Sequence, residues 1–159
     1  MRPRRYPLDP LARVREIKVD DAARALAEAV RAREEAALRL AQATRRKEDA
    51  EAEARALREG EQGALERGEL TVADLMRADA WGTRVKAEQT ELVRREDEAA
   101  TREDAAQGDE SRARVNVAER KADAELVERD RVRWVDGERR RADAKDEEAA
   151  ADAWRPKQS

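Results

Sequence analysis

The residues in this sequence that could do chemistry are carboxylates and basic side chains, because the chain contains no histidine and no cysteine. Two acidic runs, Glu96-Asp97-Glu98 and Asp146-Glu147-Glu148, could bind divalent cations weakly. Carboxylates on a solvent-facing helix keep near-normal pKa values and have no enclosed site in which to act. We therefore interpret both runs as solvated faces and predict no metal site.

Motifs for catalysis or cofactor binding are equally lacking in the sequence. It contains no P-loop, dinucleotide fingerprint, HExxH motif or nucleophile elbow. Without cysteine there is no disulfide and no thiolate zinc site, and without histidine the commonest acid–base side chain is missing. The sequence predicts no catalytic residue, no cofactor and no enzymatic activity.

The prolines indicate which elements must position these side chains. All four lie near the ends, at Pro3, Pro7, Pro10 and Pro156, so residues 11–155 are free of the strongest helix breaker. Charged residues make up 46% of the chain and aromatic residues 3%, which argues against an ordinary globular core. Two alternatives remain, an extended coiled coil and a disordered polyampholyte.

The arrangement of charges favours the helical alternative. Alanine and the long ionic residues are good helix formers, and opposite charges recur four residues apart, which supports a helix. Examples are Asp20/Arg24, Glu35/Arg39, Glu51/Arg55, Glu98/Arg102, Glu110/Arg114 and Asp136/Arg140.

Heptad repeats run along two segments. In the first, one position carries Ala22, Ala29, Ala36, Ala43, Ala50, Leu57 and Ala64, and its companion carries Val19, Leu26, Arg33, Leu40, Lys47 and Ala54. In the second, one position carries Ala78, Val85, Leu92, Ala99, Ala106, Ala113, Arg120, Val127 and Trp134, with Val117 and Ala124 at the other. Such seams are typical of a coiled coil, and alanine-rich ones allow close helix approach with modest burial.

Capping signals divide the chain. We predict an extended arm over 1–10, helix one over 11–59, a glycine-rich turn over 60–71, helix two over 72–154 and a tail over 155–159. Asp9 reads as an N-cap before Pro10, and Thr71 with Asp74 is similar to a capping box. The fold class is all-α, an elongated antiparallel two-helix coiled-coil hairpin. Because helix two is longer, either it overhangs or 60–102 forms a distinct tip.

Large apolar side chains near the turn and the two ends, including the seam residue Trp134, are candidates for partner binding. One set lies at the turn and comprises Leu70, Leu75, Met76 and Trp81. A second set joins the two ends and comprises Leu11, Val14, Ile17, Val132, Trp134 and Val135. Each set has two readings, a small internal core or a docking surface, since tryptophan and methionine are enriched at interfaces.

Net charge limits the kinds of partner. The 35 basic and 38 acidic residues are finely mixed and give a net charge of −3, so we expect no nucleic-acid binding. The exception is the basic start, Arg2, Arg4 and Arg5. No apolar run approaches the roughly 20 residues of a membrane span, and no secretory signal is evident, so we expect a cytoplasmic protein.

Two segments give the chain a family resemblance. The first is Pro7-Leu8-Asp9-Pro10-Leu11-Ala12-Arg13-Val14-Arg15-Glu16 followed by Val19-Asp20-Asp21-Ala22-Ala23-Arg24-Ala25-Leu26. The second comprises Glu119-Arg120-Lys121, Leu126, Arg129 and Lys145-Asp146-Glu147-Glu148-Ala149. With the length and hairpin layout, these segments resemble the FliJ/YscO family, the stalk proteins of bacterial type III export ATPases in flagella and injectisomes.

The resemblance implies a non-enzymatic stalk. Such a protein would lie in the centre of a hexameric ATPase ring, promote its assembly and couple it to the membrane export gate. We expect the terminal set to face the ATPase, with Trp134 as anchor, and the turn set to be free for the export gate or a secretion chaperone. The alternative is a structural coiled-coil spacer or scaffold that self-associates. The sequence does not distinguish a flagellar from an injectisome system.

Overall fold

A computed structural model describes residues 4–155 of the chain, so the first three residues of the predicted arm and the tail from Pro156 on lie outside the described part. Two α-helices account for all the regular structure there, α1 over Asp9–Glu66 and α2 over Val72–Trp154. The predicted fold class, an all-α hairpin of two long helices, is confirmed.

The helix pair divides into two compact units. Unit 1 contains the residues up to Leu26 together with those from Ala113 onwards, and unit 2 is Ala27–Arg112. In unit 1, the Arg15 guanidinium donates a hydrogen bond to the Asp123 carbonyl. Asp9 Oδ1 lies 4.0 Å from Arg131 Nε. Residues later in α1 therefore contact residues earlier in α2, so the two helices are antiparallel in this unit.

Unit 2 shows the same direction of pairing. Arg33 Nε lies 3.5 Å from Glu110 Oε2, and Lys47 Nζ lies 2.5 Å from Glu96 Oε2. Because Lys47 contacts Glu96, α1 still packs against α2 within 60–102. The alternative of a distinct tip over 60–102 is therefore wrong.

Buried and half-buried residues follow the predicted seams. Along α1 they recur at alternating intervals of three and four residues, from Ala12 and Arg15 through Val19, Ala22, Leu26, Ala29, Arg33 and Ala36 to Ala54. Along α2 the same alternation runs from Leu92 to Val127; the next seam position, Arg131, is exposed, and Trp134 is half-buried one heptad after Val127. The core is nevertheless sparse, since the buried apolar residues of the described chain are Tyr6, Ala22, Ala54 and Val127. The predicted seam residue Leu57 is an exception, because it is exposed.

α1 begins at Asp9, the predicted N-cap, and so before the predicted start of helix one at residue 11. The Leu8 carbonyl accepts the first helical hydrogen bond, from the Ala12 amide at 2.9 Å. Asp9 is therefore the first helical residue rather than the N-cap, and Pro10 lies within the first turn, where its missing N–H has no helical acceptor. The Asp9 carboxylate still lies at the positive end of the helix dipole.

The end of α1 lies at Glu66, later than the predicted 59. Gly60 and Gly63 are helical, and the chain turns at Gly68, whose φ of 69° is the conformation that glycine tolerates best. The Glu69 amide donates to the Ala64 carbonyl and the Gly68 amide to the Leu65 carbonyl, both at 3.0 Å. These two bonds form a Schellman motif.

The start of α2 is a reciprocal cap. The Thr71 amide donates to Asp74 Oδ2 at 2.9 Å, and the Asp74 amide donates to Thr71 Oγ1 at 3.2 Å. This is a capping box with aspartate in place of glutamate, as the sequence predicts. The hydrogen bonds from Thr71 lower the pKa of Asp74, so the carboxylate that completes the cap is ionised near neutral pH.

Within the described residues 4–155, no helix lies beside the far end of α2. Asp9, the first residue of α1, contacts Arg131, whereas α2 continues to Trp154. Every residue from 139 to 155 is exposed. Helix two therefore overhangs α1 in unit 1, which settles the alternative that the sequence leaves open.

Candidate partner-binding surfaces

The N-terminal arm of unit 1 is attached to α2 by Tyr6. This side chain is 5% exposed, and its ring lies against Trp134 with centroids 5.7 Å apart and planes inclined at 58°. Its hydroxyl donates a hydrogen bond to Asp130 Oδ2 at 2.5 Å. The sequence predicts an extended arm. The structure shows instead that the part of the arm around Tyr6 packs on α2 and covers Trp134.

Burial and the bond to Asp130 also fix the protonation state of Tyr6. Desolvation, with a smaller contribution from the Asp130 hydrogen bond, raises the pKa of Tyr6 to about 12. The hydroxyl therefore remains a donor throughout the physiological range, and the Asp130 carboxylate is its acceptor.

The two flanks of the helix pair in unit 1 can be told apart by a shallow cavity. It is lined by Glu16, Asp20, Lys121 and Glu125, each of which immediately follows a seam residue. One residue forward or backward rotates a side chain by about 100° in opposite directions. Residues that immediately follow a seam residue therefore lie on the flank with this cavity, which we call the following flank. Residues that immediately precede a seam residue lie on the opposite flank, which we call the preceding flank.

The predicted terminal set is divided between these flanks. Leu11 and Val14 precede the seam residues Ala12 and Arg15, so they lie on the preceding flank. On α2, Val132 and Val135 follow seam positions and lie on the following flank. All four side chains are exposed. The set is therefore not one surface.

Ile17 and Trp134, the two remaining members of the terminal set, lie on neither flank. Ile17 is exposed but lies away from the seam, two residues from Arg15 and two from Val19. Trp134 is half-buried beneath Tyr6, so it is a seam residue rather than a free anchor. Its seam register is visible in the heptad repeat and is the signal that it points inward.

Leu126 completes an exposed surface that the predicted set omits. It is 60% exposed and immediately precedes the seam residue Val127, which places it on the preceding flank. The antiparallel pairing of Arg15 with Asp123 brings this part of α2 beside Val14. We call Leu11, Val14 and Leu126 the leucine–valine patch.

The predicted turn set is also divided. Met76 is 71% exposed and Leu75 is exposed, whereas Leu70 and Trp81 are half-buried. Trp81 lines an open groove of about 470 Å³, whose other walls include Arg58 and Glu61 of α1. Leu75 and Met76 are thus available to a partner, while Trp81 packs beside the groove between the helices.

Polar side chains in the seam of unit 2 form a cross-helix network. Glu96 contacts Lys47 and accepts a hydrogen bond from Thr44 Oγ1 at 2.9 Å. These contacts, with the Lys47 bond the larger cause, lower the pKa of Glu96, and the same bond raises the pKa of Lys47. Glu96 therefore faces α1, and its interpretation as part of a solvated acidic face is wrong.

The described residues 4–155 contain no group of three or more carboxylates that converges to hold a metal ion. In the same range, no helix is long and apolar enough to cross a membrane. What the surface offers is exposed apolar residues and charge, which suit protein contacts.

No protein-family model, no curated protein and no solved structure matches the chain significantly. The similarity to the FliJ/YscO family therefore rests on the segments quoted from the sequence.

Proposed function

We propose that this chain is a non-enzymatic helical hairpin that binds other proteins along its sides. The supporting observation is the leucine–valine patch, Leu11, Val14 and Leu126, which stays exposed because two helices have no third layer to cover it. Exposed apolar side chains that share one flank are typical of protein-interaction sites.

The specific role we propose is that of the stalk of a type III secretion ATPase, on the cytoplasmic side of a membrane-embedded export apparatus. The resemblance of residues 7–26 to the FliJ/YscO family supports this role, and Leu11 and Val14 lie within that segment. The leucine–valine patch contacts the hexameric ATPase, and the exposed Leu75 and Met76 are left for the export gate or a chaperone.

Sedimentation of the two proteins together tests this proposal. The chain should shift a type III export ATPase towards its hexamer and should sediment with it. The change Leu11→Ser with Val14→Ser should abolish this effect. Leu38→Ser is the matched control, because Leu38 is 61% exposed but lies in unit 2.

A self-associating scaffold is the second candidate. It is favoured by exposed apolar side chains in both units, including Leu38, Val93 and Val115, which a second copy would cover. A scaffold would form stable homo-oligomers at micromolar concentration and would leave the sedimentation of the ATPase unchanged. The stalk would show the opposite pattern.

A further inference from the structure

Four arginines line one groove in unit 2. Arg39 and Arg46 of α1 and Arg95 and Arg102 of α2 surround a cavity of about 240 Å³ whose floor includes Leu92. Each arginine immediately precedes a seam residue, so all four lie on one flank of the helix pair.

A neighbouring cavity extends this groove. It has a volume of about 200 Å³, shares Arg39 and Arg102 with the first, and reaches Ala32. Between them the two cavities run along α1 from Ala32 to Arg46, which is about 21 Å at 1.5 Å per residue. Much of the floor is alanine, so a ligand can approach the helix backbones closely.

The positive charge of the groove is only partly neutralised within the described chain. Arg39, Arg46 and Arg102 make no ion pair there, and Arg95 shares Glu91 with Arg94. Two acids, Glu35 and Glu98, also line the cavities, but Glu98 pairs with Arg94.

The opposite flank of unit 2 is predominantly acidic. A cavity of about 690 Å³ there is lined by three acids, Glu48, Asp49 and Glu103, and by Arg45 alone among basic residues. The basic character of the arginine groove is therefore local, and it does not reflect a uniformly basic protein.

Four like charges on facing helices oppose the pairing of those helices. Glutamine has a helix propensity close to that of arginine, so the helices themselves do not require these guanidiniums. A ligand of opposite charge would relieve the repulsion, and guanidiniums make paired hydrogen bonds to carboxylates.

We propose that the arginine groove binds an acidic helical segment of a partner protein. Carboxylates of the segment pair with Arg39, Arg46, Arg95 and Arg102, and its small apolar side chains lie over Ala43 and Leu92. The length and the apolar floor favour a helix over a single phosphate ion. The acids Glu35 and Glu98 at the edge disfavour a nucleic-acid backbone.

Fluorescence anisotropy with a synthetic probe tests this proposal. The probe is a labelled helical peptide about 14 residues long, to match the 21 Å groove, with glutamates flanking a stripe of alanine and leucine. It should bind the full chain and lose binding when its glutamates are replaced by glutamine. Arg39→Gln with Arg102→Gln should weaken binding about tenfold or more, a difference of about 1.4 kcal/mol.

The control is Arg31→Gln with Arg84→Gln, which removes the same charge from exposed arginines outside the groove and should leave binding unchanged. Equal weakening by both double variants would overturn the proposal, as would absent peptide binding or equally tight binding of an RNA oligonucleotide. Because no ATPase is present, failure here leaves the stalk proposal intact.

Discussion

Tyr6 lies against Trp134, with 5.7 Å between ring centroids and an angle of 58° between the ring planes. This tilted geometry is one that aromatic pairs prefer. It joins a short irregular segment to α2 across more than 120 positions of sequence, and it places two of the four aromatic residues of the chain in one contact. The contact makes the arm part of unit 1.

Removing the Tyr6 ring should expose Trp134 to water. In a background with Trp81→Phe and Trp154→Phe, Tyr6→Ala should shift the emission of Trp134 to the red and lower the urea midpoint of unfolding. Tyr6→Phe keeps the ring and loses only the contacts of the hydroxyl with Asp130 and the Val127 carbonyl, so the emission of Trp134 should remain close to that of the parent. An unchanged spectrum in the alanine variant would show that the arm is not packed.

Glycines 60 and 68 should respond oppositely to alanine. Gly60 is helical with open space around an added methyl group, so Gly60→Ala should stabilise the chain by about 0.5–1 kcal/mol. Gly68 has a φ of 69°, a conformation that is strained for alanine, so Gly68→Ala should destabilise the chain by about 1–2 kcal/mol. Urea unfolding monitored by circular dichroism measures both. Equal effects would mean that the turn does not lie at Gly68.

The Lys47–Glu96 pair should respond to charge reversal as a unit. Lys47→Glu places two acids across the seam and should lower the urea midpoint. The double change Lys47→Glu with Glu96→Lys restores opposite charges and should recover most of the loss. The same charge exchange at Asp152 and Arg155, an exposed ion pair at the C-terminal end of α2, should change the urea midpoint little. Additive losses in the Lys47–Glu96 double variant would contradict the pairing.

The same pair predicts a pH window. The pKa of Glu96 is lowered from its ordinary value of 4.5, so its contribution is complete above pH 4.5 and is lost as the pH falls through the folded-state pKa. The pKa of Lys47 is raised from 10.5, so its contribution is complete below pH 10.5 and is lost as the pH rises through the folded-state value.

The difference in unfolding free energy between the parent and Lys47→Met with Glu96→Leu measures this contribution. It should be constant between about pH 4.5 and 10.5 and decline outside that range. A difference that changes across neutral pH would contradict the assignment.

Much of the fold follows from patterns that are local in sequence. The heptad spacing from Val19 to Ala54 predicts which residues face the partner helix, because a seven-residue repeat fixes the face of a helix without knowledge of the partner. The capping box at Thr71 and Asp74 is similarly local. The sequence does not select the end of α1, because Gly60, Gly63 and Gly68 are all candidate C-caps and only the hydrogen bonds of the turn select Gly68.

The candidate surfaces depend on information that is not local. Whether Leu11 and Val132 share a flank depends on the direction and register of pairing, which a single helix does not encode. The contact of Lys47 with Glu96 depends on the same register. The sequence does not predict the burial of Tyr6, because prolines on both sides of it predict an extended arm, whereas its burial depends on a seam tryptophan far along the chain.

The most direct test of the proposed function is the hydrolysis rate of a type III export ATPase, measured as a function of added chain. The parent chain should raise the rate. The change Leu11→Ser with Val14→Ser should raise the concentration needed for half of the effect about tenfold or more, because loss of an apolar side chain at the centre of an interface costs on the order of 1 kcal/mol. Leu38→Ser should behave like the parent, and far-UV circular dichroism should show equal helicity in all three proteins. A rate that the parent chain leaves unchanged, or equal activation by all three, would contradict the stalk function.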